Sequence, residues 1–171
     1  GRIPRAEETL AYLEDKRSDK HYRLIETLLG REEYSVHWSR VFDEWLNGGV
    51  RERGNGQSEF LVYLENALGE NRPWNKIAYE LLLPDAQDDV RRSAAYFLNV
   101  RLRGGDQQEK IDGMTTAVAS VFFGVQLQCA KCHDHPYVDD WQQDHYYGLA
   151  AFLGRTQETK YKNAPFLRER A

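Results

Sequence analysis

Along most of the chain apolar side chains return every three or four residues with polar ones between them, the period of helices lying on a core. Pro4 with Ala6-Glu7-Glu8 predicts a first helix that opens on acids and carries Leu10 and Leu13 along one edge. Ser18-Asp19 caps a second, with Tyr22, Ile25, Leu28 and Leu29 on one face and Gly30 at its end. A third is expected from about Glu32 to Leu46, with Tyr34, Trp38, Val41, Phe42 and Trp45 as its apolar stripe and Asn47-Gly48-Gly49 as its stop. The glycine-rich, charged stretch from Gly48 to Gly56 reads as a connection. A fourth helix is predicted from Ser58 to Leu68, with Phe60, Leu61, Leu64 and Leu68 inward. Pro73 starts a fifth that carries Trp74, Ile77, Ala78, Leu81 and Leu82 and stops at Pro84. Asp88 or Asp89 caps a sixth from Val90 to about Val100, and Gly104-Gly105 breaks the chain again.

The seventh element is expected to be one long helix, from about Gln107 to Lys131. Ile111, Met114, Val118, Val121, Phe122 and Val125 form its stripe, Cys129 extends that stripe, and Pro136 follows. The segment Cys129-Ala130-Lys131-Cys132-His133 is therefore predicted at the C-terminal end of a long helix. A last helix runs from about Gln142 to Leu153 on Tyr146, Leu149, Ala150 and Leu153, and the tail after Gly154 reads as irregular. With no useful run of strand alternation and no internal repeat, the fold class is all-α: one multi-helix domain over residues 1–171, of which residues 1–50 can form an N-terminal helical subdomain.

Composition changes this picture little. A chain of 171 residues suffices for one domain with a real core. Its 23 basic and 27 acidic residues leave a formal charge of −4, and no basic excess points to nucleic acid. Arg91-Arg92 and Arg101 to Arg103 read as solvated faces, or as a docking patch for an acidic redox partner. No apolar run approaches membrane-spanning length. The paired acids Glu7-Glu8, Asp88-Asp89 and Asp139-Asp140 read as caps and solvated turns rather than as hydrolytic pairs.

The two cysteines are the only ones in the chain, and they stand in the C-x-x-C-H order of covalent haem attachment. In that chemistry Cys129 and Cys132 each form a thioether, and His133 becomes the proximal iron ligand. Three other readings of these residues stay open: a redox dithiol, a short-loop disulfide, and a zinc site. Zinc would take Cys129 and Cys132 with two of His133, His135 and His145. For the distal face, Met114 is attractive by type but sits fifteen residues back on the expected helix, roughly 22 Å at 1.5 Å per residue, and reads as core. His37 borders the Tyr34/Val41/Trp45 face and is the leading distal candidate, His145 the next, and His21 a third. His135 is too close in sequence to reach the far side of the iron, and is expected to bond a haem propionate or the backbone of the turn.

The run Val121 to Pro136, with Cys129-Ala130-Lys131-Cys132-His133-Asp134-His135-Pro136 at its end, resembles the planctomycete cytochrome-c-like domain, catalogued as a domain of unknown function. Trp141 with Tyr146-Tyr147-Gly148-Leu149-Ala150-Ala151-Phe152, Glu33-Tyr34 with His37-Trp38, and Asn71-Arg72-Pro73-Trp74 fit it as well. The resemblance implies large exported proteins in which this domain lies between an N-terminal cytochrome-like segment and a C-terminal domain. Haem attachment to C-x-x-C-H requires maturation outside the cytoplasm, so an extracytoplasmic, periplasmic setting is expected, with a signal or upstream segment preceding Gly1. The expected function is that of a monohaem electron carrier, with haem c as cofactor, an unidentified redox protein or domain as partner, and self-association as a further option. Two alternatives are carried beside it: a haem with an open distal site that binds or reduces a small ligand, and a zinc-clipped structural or interaction module.

Overall fold

The computed structural model of the chain describes residues 2–48, 55–161 and 164–169. Helix α1 (Ala6–Glu14) and helix α2 (Lys20–Leu29) follow the periodicity, yet neither buries a single side chain. Leu10, Leu13, Tyr22, Ile25, Leu28 and Leu29, expected on an inward face, are exposed. The two helices are joined by the Lys20 ammonium, which lies over the Tyr12 ring and donates to the Tyr12 carbonyl. Ion pairs from Arg2 and Arg31 to Glu8, and from Arg2 to Glu33, tie α1 to helix α3 (Glu32–Asn47).

Helix α3 also turns its faces the other way from the expectation. Its buried residues are Ser35, Ser39, Asp43, Leu46 and Asn47, whereas Trp38, Val41 and Trp45 are exposed. The reason is close approach. The small serines let helix α4 (Asn55–Gly69) pack tightly, and a Cβ added at Gly69 would meet the Ser35 side chain at 3.8 Å. The aromatic stripe instead packs on itself: Trp38 meets Phe42, Phe42 meets Trp45, and Trp45 stacks on Trp74 at 5.5 Å. Gly48 ends α3 in the left-handed region, with φ 59°, and donates its N–H to Glu44. Most of the expected Gly48–Gly56 connection lies outside the described residues.

The main core forms where Phe60, Tyr63, Leu64 and Ala67 of α4 meet Ile77 and Leu81 of helix α5 (Trp74–Leu82). Beneath them, Tyr63 Oη donates to Glu80 at 2.8 Å, and Glu80 is paired with Arg72 at 2.7 Å. Burial and the Glu80 charge together push the Tyr63 phenol well above its ordinary range. The expected sixth helix is a tighter turn over Arg91–Ala95 continued by the short helix α6 (Tyr96–Asn99). Asp88 caps it, accepting the N–H groups of Val90 and Arg91 at 2.9 Å each.

Helix α7 is shorter than expected, Gln107–Val118, and starts on a capping box of Asp106 and Glu109. Met114 is fully buried in the main core, as read from the sequence. The helix then widens into a π turn over Ala119–Phe123 and stops at Gly124, whose φ of 67° and ψ of 23° close it as a left-handed cap. The C-x-x-C-H motif therefore does not ride on the end of a long helix. Helix α8 (Gln143–Leu153) returns across it. The tail is also ordered: strands β1 (Thr156–Tyr161) and β2 (Ala164–Glu169) pair antiparallel, with Glu158 opposite Leu167 and Thr159 opposite Phe166. Leu167 packs on the main core, and this single hairpin is the only sheet among the described residues of an otherwise all-α, multi-helix protein.

Candidate functional site

After Gly124 the chain makes a second, smaller core. Leu127, Ala130, Tyr146 and Ala150 are buried together with Ala119, and Ile111, Val125, Trp141 and Leu149 pack around them. Cys129–Lys131 forms a single tight turn over this cluster. Leu127 and Ala130 are buried in the cluster, while Lys131 is half-buried and turned to Asp112 of α7. Cys129 and Cys132 are both free thiols and both exposed, as is His133.

The turn is held by two helices. Helix α8 supplies Gln143 Nε2 and Tyr147 Oη, both donating to the Lys131 carbonyl at 3.1 Å. The Gln143 N–H donates to Asp134 Oδ1 at 2.8 Å, which fixes the segment after the histidine. Helix α7 supplies Asp112, whose carboxylate accepts from the Lys131 ammonium, from Tyr146 Oη, and from Gln108 Nε2 at 2.7 Å. Burial works to raise the Asp112 carboxyl, but the bonds from Lys131, Tyr146 and Gln108 outweigh it and hold the group below the usual carboxylate range. The Asp112 hydrogen bond correspondingly raises the Lys131 ammonium, and burial with the same carboxylate raises the Tyr146 phenol.

His133 Nδ1 lies 2.6 Å from the Asp134 carbonyl oxygen, which can only accept, so Nδ1 carries the proton and Nε2 is the nitrogen with the lone pair. A backbone carbonyl on the distal ring nitrogen is the usual way a metal-binding imidazole is oriented and made more basic. Two outward thiols and an exposed imidazole with its Nε2 lone pair are a donor set that fits a covalently attached haem.

The remaining histidines are dispersed. His135 accepts the Tyr137 N–H at Nδ1, 3.3 Å away, and its ring stands edge-on to Trp141 at 4.8 Å, so it serves the backbone of the turn. His145 accepts the Gln142 N–H at 3.2 Å and completes the capping box of α8. His37, expected to look into the core, is exposed on α3 against Trp38 and lines a cleft with Tyr12, Leu28 and Tyr34 that shares no lining residue with the motif. His21 meets Tyr12 Oη at 3.4 Å in that same region. Among the described residues no three His, Cys, Asp or Glu side chains are gathered to hold a metal ion, so the residues of the zinc alternative are not pre-arranged as a cage.

Sequence reasoning missed Asp112 and the clamp from Gln143 and Tyr147. Tyr146 lies on the apolar stripe of the last helix by its buried ring, while its hydroxyl serves the site. A cleft of about 490 Å³ opens beside the turn, lined by Trp45, Arg101, Asp112, Thr116, Lys131 and Tyr146 among others.

Fold and site together define a helical domain built around an outward-facing C-x-x-C-H turn. Over residues 1–158 the chain matches the family described as PSCyt2, protein of unknown function (DUF1549), and it belongs to that family. No curated protein and no solved structure matches it. No helix among the described residues is long and apolar enough to cross a membrane.

Proposed function

We propose that this domain carries one covalently attached haem, held by thioethers to Cys129 and Cys132 with His133 Nε2 as the proximal iron ligand, and that it transfers electrons. The observation that carries the reading is the state of the turn: free outward thiols three residues apart, followed by an imidazole whose Nδ1–H is already committed to a carbonyl. The iron, when bound, supplies one-electron exchange. The protein's own part is to hold the turn rigid. Ala130 and Leu127 anchor it from below, Asp112 fixes Lys131 between the two thiols, and α8 fixes the Lys131 carbonyl.

The test is the intact mass of protein matured outside the cytoplasm. The natural sequence is expected to carry one haem per chain, and Cys129→Ala with Cys132→Ala to carry none. A natural-sequence protein without the added mass contradicts the proposal.

An open distal site is the second reading. It is favoured by the positions of Met114 in the core and of His37 in a separate cleft. Carbon monoxide shifting the reduced spectrum supports it, and a spectrum indifferent to carbon monoxide and cyanide argues for a strong sixth ligand. A chain that binds zinc and no haem would move the site to the structural reading.

A further inference from the structure

The cleft between α1, α2 and α3 is separate from the C-x-x-C-H turn, and the proposed haem chemistry does not use it. Its volume of about 530 Å³ falls within the roughly 300–1,000 Å³ of small-molecule sites. Tyr34 and Trp38 of α3, with ring centroids 6.3 Å apart, give it flat aromatic surface. Tyr12 of α1 and Leu24 and Leu28 of α2 line it as well. Helices α1 and α2 bury no side chain, and Leu28 and Trp38 keep 46% and 39% of their surface exposed. The three helices therefore surround apolar surface that they do not bury against one another. A molecule seated there would take that surface out of water and act as the core that the N-terminal helices lack.

The charged groups of the cleft restrict what that molecule can be. Arg2 donates to both Glu8 carboxylate oxygens, at 2.7 and 2.8 Å, and to Glu33 at 3.3 Å. Arg31 reaches Glu8 at 3.1 Å. These two guanidiniums and two carboxylates are paired with one another, so the described lining carries no net charge while His37 is neutral. An anion or a cation entering it would break one of these pairs or lie uncompensated on apolar surface, and either is costly. A neutral molecule meets neither cost. The imidazole of His37, edge-on to Trp38 at 5.8 Å, adds one N–H donor to this lining. We infer that the cleft binds an uncharged, flat apolar molecule that carries a carbonyl-type acceptor, with its ring system against Tyr34 and Trp38 and its acceptor on His37.

The test titrates protein of the natural sequence with naphthalenes of similar size: 2-acetonaphthone, which is neutral and ends in a carbonyl, 2-naphthoate, and 2-naphthylmethylamine, a cation at neutral pH. Equilibrium dialysis gives the affinities, and amide hydrogen exchange locates the site. The ketone is expected to bind about tenfold tighter than either charged probe, or better, and to slow exchange across residues 6–29 while leaving α4 unchanged. Leu24→Trp fills the cleft and Leu28→Glu places a carboxylate in it, and both are expected to abolish binding. Because α2 buries no side chain, the circular dichroism of both variants is expected to match the natural sequence. His37→Phe is expected to weaken the ketone about tenfold and to leave 2-ethylnaphthalene, which has no acceptor, unchanged. A ketone that does not bind, charged probes that bind as well, or ketone binding that survives both α2 variants overturns the inference. A ketone undiminished in His37→Phe overturns the role of His37. A dimer in sedimentation that Leu28→Glu dissociates would give the cleft to a second copy of the chain, and would overturn it as well.

Discussion

Asp112 shows how much one side chain can organise. It lies on α7, outside the motif, yet it accepts from Lys131 within the motif and from Tyr146 beneath it. Its carboxyl is held below the ordinary value of about 3.9. A folded-state value below the unfolded one gives stability that is present above the unfolded value and lost as pH falls through the folded one. Acid titration of the fold, followed by circular dichroism, is therefore expected to lose part of its slope below about pH 4 in Asp112→Asn. An unchanged acid profile would show that the carboxylate does not hold the turn. Tyr63→Phe tests a buried bond instead. Removing the hydroxyl leaves Glu80 with one donor fewer in a buried setting, and denaturant unfolding should show a loss of about 1–3 kcal/mol. A loss below a few tenths would mean that Arg72 and Arg91 satisfy Glu80 without the phenol.

Among the helices and turns, Gly124 decides where the segment leading to the C-x-x-C-H turn begins. Its left-handed φ of 67° ends the π turn, and a Cβ there meets nothing within 4 Å, so a substitution is strained by conformation and not by crowding. Gly124→Ala is expected to cost about 1–2 kcal/mol in denaturant unfolding and to lower the yield of haem attachment. A neutral effect on both would show that the helix can run on. The long-helix expectation failed here because the stripe from Ile111 to Val125 keeps its period through Gly124, and one glycine inside such a stripe is tolerable. Helix positions, in contrast, were legible, since Asp88, Gly30 and Pro73 flank elements close to where they were expected. Which face points inward was not. Ser35 and Ser39 are buried because they are small, a packing reason that periodicity does not register, and this leaves Trp38 and Trp45 outside. The β1–β2 hairpin escaped notice for a related reason. Both faces of Thr156–Tyr161 are polar, so alternation is masked, although Leu167 packs the hairpin on the core.

The protein as a whole is unevenly stable. Helices α1 and α2 bury nothing, and α1 is tied down by exposed ion pairs, whereas residues of α4 and α7 share a core that closes over Phe60, Leu64, Phe97 and Met114. Amide hydrogen exchange is expected to be fast across residues 6–29 and slowest in α4. Equal protection in both regions would mean that the N-terminal helices are covered in solution. The motif, with its outward cysteines and histidine, was readable from five consecutive residues, and the clamp around it was not, because Asp112, Gln143 and Tyr147 come from two other elements. The most direct measurement is the visible spectrum, oxidised and reduced, of protein matured outside the cytoplasm and then denatured in acid and organic solvent. The account predicts haem that stays on the chain, with a sharp low-spin reduced band before denaturation if His133 has a strong partner across the iron and a high-spin one if it does not. Haem that extracts into the solvent, or no haem at all, would contradict it.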